Sequence, residues 1–63
     1  MNTKHELQQA YHNGYIAGSY NWMFIPSGMS RDEKQEYRRG YNVRRAEIAR
    51  EIQYWNTWVK LND

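Results

Sequence analysis

Tyr11-x-x-Gly14-Tyr15 and Tyr37-x-x-Gly40-Tyr41 are one five-residue pattern, present twice in a chain of 63 residues. Each copy falls in a stretch of helical periodicity. A glycine inside a helix costs about 1 kcal/mol relative to alanine, so a small chain that keeps one in each helix must recover that cost by packing. Without a Cβ, the facing backbone comes close and the rings of one helix lie over the gap left by the other. Ring burial then contributes roughly 2 kcal/mol or more apiece. The pattern predicts two helices packed through their glycines, with Gly14, Tyr15, Gly18, Gly40 and Tyr41 as packing residues. Gly18 also reads as a frayed helix end.

The helix bounds follow from local chemistry. Thr3-Lys4-His5-Glu6 fits a capping box, in which the threonine hydroxyl accepts from the first turn and the glutamate reaches back. Ser30-Arg31-Asp32-Glu33 repeats it. The first helix is expected over residues 4 to about 20, with Leu7, Ala10, Tyr11, Gly14, Tyr15 and Gly18 on one face. The second is expected over residues 31 to about 60, with Tyr37, Tyr41, Ile48, Ile52, Trp55 and Val59 on its apolar stripe. Between them, NWMFIPSGMS carries the turn residues Pro26, Ser27 and Gly28. The fold class expected is all-α: an antiparallel helical hairpin, a single small domain over residues 1–63.

A chain of this length buries too little surface for much stability without disulfides, metal or a partner. It has no cysteine, which excludes disulfides and thiolate metal sites. No apolar run approaches the ~20 residues of a membrane span, and the N-terminus lacks the charged-then-apolar layout of a signal peptide. A soluble, cytoplasmic protein is expected.

Six Tyr, three Trp and one Phe are either the whole core or a core plus a sticky surface. The two helices also differ in length, so the stripe of Ile48, Ile52, Trp55 and Val59 has no helix opposite it. Its heptad-like spacing leaves three ways to cover it: the loop residues Trp22, Phe24 and Ile25, a second copy of the chain, or another molecule.

The net charge of +2 is too small to imply a nucleic-acid partner by itself. Its distribution is more informative. Residues 1–30 sum to zero, residues 31–50 hold seven basic and four acidic groups for +3, and the remainder sums to −1. At 100° per residue, Arg31, Lys34, Arg38 and Arg45 share one flank of the second helix, opposite Glu33, Glu47 and Glu51. Arg39 has Glu36 three residues away, and Arg44 and Arg50 have Glu47, whereas the basic flank has no acid at that spacing. An uncompensated row of cations suits a phosphate backbone or an acidic protein surface.

Catalysis has little to stand on. His5 and His12 share a helix face without an acidic residue to complete a metal site. There is no phosphate-binding glycine loop and no nucleophile with a base at motif spacing. The chain reads as non-enzymatic, with no catalytic residue, cofactor, metal or small-molecule substrate.

Ala10-x-x-x-Gly14-Tyr15-x-Ala17-Gly18, a proline-containing connection and aromatic-x-x-Gly-aromatic together resemble the ribosome modulation factor of bacteria. In that family a GYxAG helix is followed by a loop and a second helix with a WxxGW motif, here Tyr37-Arg38-Arg39-Gly40-Tyr41. The likeness covers roughly residues 9–50. It implies a helical protein that binds the small ribosomal subunit through rRNA and ribosomal proteins and promotes silent, hibernating ribosomes. On that reading Arg31, Lys34, Arg38 and Arg45 contact RNA phosphates, with tyrosines available to stack on bases.

This chain departs from the family in its lower basic charge, its apolar NWMFIP loop and its Trp-rich extension beyond Gln53. Those departures favour a second reading. The chain is then a small protein-binding module, such as a phage or mobile-element inhibitor of a host protein, anchored by Trp22, Phe24, Ile52, Trp55 and Trp58. Trp and Tyr are residues that carry interface energy. A homodimer through the exposed stripe is a third arrangement.

Overall fold

In the computed structural model, which describes residues 3–62, the chain forms two helices and a connection. Helix α1 spans Lys4–Tyr20 and α2 spans Arg31–Asn62, close to the expected bounds. Both capping boxes form. The Thr3 hydroxyl accepts from the Glu6 amide at 3.2 Å, and the Glu6 carboxylate accepts from the Thr3 amide at 3.2 Å. Ser30 and Glu33 make the same exchange at 3.2 and 3.1 Å. Each cap therefore supplies partners for amide donors that a helix start leaves unpaired.

Helix α1 stops at Asn21, which is left-handed at φ 54°, ψ 38°. The Asn21 amide donates to the Gly18 carbonyl at 3.3 Å and the Trp22 amide to the Ala17 carbonyl at 3.2 Å. This is the double-bonded C-terminal closure that usually takes glycine, and asparagine is the side chain that tolerates it best. The Asn21 side chain also accepts from the Tyr41 hydroxyl at 3.2 Å, which ties the turn to α2.

The glycines set the helix contact, as the repeated motif predicts. A Cβ on Gly14 would collide with the Tyr37 carbonyl, and one on Gly40 with the Tyr11 carbonyl, 2.9 Å from the Tyr15 amide nitrogen. Each motif's glycine thus receives the backbone of the other motif's first tyrosine. Gly18 belongs to the same seam and is no frayed end: its Cβ would lie 2.9 Å from the Tyr41 carbonyl oxygen. Ala10 and Tyr37 are the buried apolar side chains, so the core is a thin line along this seam.

The expected all-α, two-helix architecture holds, but the antiparallel sense is corrected by the contacts, which advance in the same direction along both helices. Leu7 and Gln8 border one concavity with Glu36 and Arg39, Tyr11 lies under Arg39, Tyr15 bonds Glu47, and Ser19 bonds Arg44. An antiparallel pair would set Ser19 beside the start of α2. The connection makes this geometry affordable: ten residues reach about 33 Å when extended, enough to return along a 17-residue helix of about 25 Å.

The connection therefore runs back beside α1. It lies against Tyr37, whose hydroxyl accepts from the Phe24 amide at 3.1 Å, and leaves the far end of α2 uncovered. Every residue from Ala49 to Lys60 is exposed. The Cα radius of gyration, 15.2 Å, exceeds the roughly 11 Å of a compact chain of this length. The molecule is a rod 54 Å long in which a two-helix half continues into a single projecting helix.

Candidate interaction surfaces

The basic flank divides. Arg31, Lys34 and Arg38 line a shallow concavity of about 420 Å³ together with Gln35. None of the three forms an ion pair with another described residue. Arg45 sits apart from them because its guanidinium donates to the Gly18 carbonyl at 3.3 Å. The helical wheel puts all four cations in one row, whereas the contact with α1 takes the fourth for a structural bond.

Arg44 is engaged at the same place. It donates to Ser19 Oγ at 2.9 Å and to Glu47 at 3.2 Å, lies 3.8 Å from Glu51, and covers the Tyr15 ring at 5.5 Å. Helix α1 has no basic residue in its last turn. Arg44 and Arg45 of α2 bring positive charge to that C-terminus, where the helix dipole favours it. The Tyr15 hydroxyl donates to Glu47 Oε2 at 2.7 Å. That bond, followed by the Arg44 guanidinium, holds the Glu47 carboxyl below its ordinary 4.5. The shared bond also raises the Tyr15 hydroxyl above its ordinary 10.0.

A second concavity, of about 700 Å³, is apolar. Ile16, Ala17, Trp22, Phe24, Met29 and Tyr37 form much of its wall, so it lies between α1 and the returning connection. Trp22 and Phe24 are 72% and 63% exposed, with ring centroids 6.3 Å apart. The sequence names these two rings as candidate anchors but does not show the cleft, which exists only because the connection doubles back. The run of apolar residues in NWMFIP was the available signal.

The third surface is the projecting part of α2. Ile52, Trp55, Trp58 and Val59 are each about half exposed. Trp55 packs edge-on against Tyr54 at 5.8 Å and against Trp58 at 6.0 Å. These contacts stiffen an aromatic ladder but bury little of it. Trp22 and Phe24, which lie beside the end of α1 and Tyr37, do not join this ladder.

Among the described residues, no helix is long and apolar enough to cross a membrane, and no group of three or more His, Cys, Asp or Glu is placed to hold a metal ion. No protein-family model matches the chain, and neither a curated protein nor a solved structure matches it.

Proposed function

We propose that the protein is a non-enzymatic RNA-binding factor of the cytoplasm that docks on the small ribosomal subunit. Arg31, Lys34 and Arg38 face the phosphate backbone in this role. The observation that carries this reading is the concavity shared by the three cations, which have no ion-pair partner among the described residues. Unpaired cations on one rigid helix face meet phosphates without first breaking an internal bond. Arg45, bonded to α1, holds the helix pair together instead. The resemblance to ribosome modulation factor supplies the target, and the charge alone supplies the chemistry.

Co-sedimentation with bacterial ribosomes at about 50 and 300 mM salt tests this. Three phosphate contacts give a slope of roughly 2 to 3 in log affinity against log salt, so binding should weaken about a hundredfold across that range. Arg38→Gln should weaken pelleting and flatten the slope by about one contact's share. Absence of pelleting at the lower salt, or pelleting indifferent to salt, overturns the RNA reading.

The apolar cleft favours a second reading, capture of a host protein through Trp22 and Phe24. That partner would remain bound at high salt, and Trp22→Ala would release it while Arg38→Gln would not.

A further inference from the structure

We infer that the projecting part of α2 is a self-association surface, on which a second copy of this chain lays its own projecting helix in the opposite direction. This stands apart from the RNA reading and uses different residues.

The face involved is continuous with the internal helix contact. At 100° per residue, Ile48, Ile52, Trp55 and Val59 lie on the side of α2 that carries Tyr37, Gly40, Tyr41 and Arg44, the side covered by α1. Helix α1 ends level with Arg44 and Arg45, and the covered face then continues bare. A solitary helix of about a dozen residues is marginal in water, so this segment gains most from another helix in the place that α1 vacates.

The shape selects the direction. Two straight α2 helices running the same way would have to lie about 10 Å apart at their extensions. They would be much further apart where each carries its α1 on that same face, so the two requirements conflict. Running oppositely, the copies overlap only through their extensions, and each tip approaches the end of the other's α1.

The charges agree with this choice. Residues 52–59 contain no charged side chain and are bounded by Glu51 and Lys60. An opposed pair sets unlike ends together, and an aligned pair sets like ends together.

The area suits a weak pair. Aromatic side chains bury 150–250 Å² each, so Trp55 and Trp58 with Ile52 and Val59, all about half exposed, offer roughly 400 Å² per chain. Two copies bury about 800 Å², the size of a weak, transient interface. The result is a two-fold, closed pair that cannot propagate.

Sedimentation equilibrium on the full chain, from about 10 to 200 µM, spans the range expected for a small interface. The mass should rise toward twice the 7.7 kDa of one chain. Small-angle scattering should give a maximum dimension of about 90 Å, from two 54 Å rods overlapping by about 18 Å. Trp55→Glu should remain monomeric, and Arg38→Gln should dimerise as the parent does. A parent chain that stays at single mass throughout overturns the inference, whether or not Trp55→Glu keeps its helix. So does a dimer that Trp55→Glu leaves intact, or one no longer than a single rod.

Discussion

Gly14 and Gly40 show how far one residue's chemistry reaches. The atoms that a Cβ would strike are backbone atoms of Tyr37 and Tyr11, which cannot swing aside as a side-chain tip would. Alanine at either position gains about 1 kcal/mol of helix propensity, yet the helices must part to admit it, and overpacking of this kind costs 1–3 kcal/mol and occasionally more. Urea unfolding should show Gly14→Ala and Gly40→Ala each losing about 1–2 kcal/mol net, a large fraction of what a chain this small possesses. Gly28→Ala provides the control. Its Cβ would meet nothing within 4 Å, so it should stay within about 0.5 kcal/mol of the parent. The pairing of these glycines was legible because the motif is repeated. What the motif does not encode is which atom fills each gap, since that depends on where the second helix lies.

At the scale of elements, α1 and α2 are joined by a thin apolar seam and a polar cluster at one end of it. The cluster's central bond, Tyr15 hydroxyl to Glu47 carboxylate, gives the helix pair a window of pH. The folded-state carboxyl of Glu47 is lowered from 4.5, so its contribution is complete above that value and is lost as pH falls through the folded pKa. The folded-state hydroxyl of Tyr15 is raised from 10.0, so its contribution is complete below that value and is lost as pH rises through the folded pKa. Tyr15→Phe should remove the alkaline fall and shrink the acid one, leaving what Arg44 contributes to Glu47. Unfolding free energies measured across pH 3 to 11 for both chains would show whether the two curves converge at the extremes; parallel curves would disprove the linkage. The helix starts were legible, since a capping box is written in four adjacent residues. The stop at Asn21 was less so. A left-handed asparagine looks like any other asparagine until the chain turns there.

For the whole molecule, the direction of α2 is the feature that organises every surface. It makes the connection return beside α1, which creates the apolar cleft, and it brings Arg45 to the end of α1, which removes one cation from the basic row. The chain's lack of cysteine makes this directly testable with paired cysteines and a short bifunctional reagent. Gln8→Cys with Glu36→Cys, whose parent residues border one concavity, should cross-link within a chain at high yield. Gln8→Cys with Ala49→Cys should not, because residue 49 lies beyond the far end of α1; the reverse pattern would establish an antiparallel pair.

By itself, the sequence determined the number of helices, where they start, that Gly14 and Gly40 lie in the helix contact, and that the last part of α2 carries apolar residues with no helix to match them. These are short-range facts. Capping, periodicity and the absence of a Cβ act within a few residues and leave marks that can be read in order along the chain. Only the tertiary structure decided the sense of the pair, the separation of Arg45 from Arg31, Lys34 and Arg38, and the side on which Trp22 and Phe24 lie. A ten-residue connection reaches either end of α1, so local signals do not distinguish the two directions. The choice rests on contacts between residues about thirty positions apart, such as Tyr15 with Glu47 and Ser19 with Arg44, whose energies exist only once the helices have met.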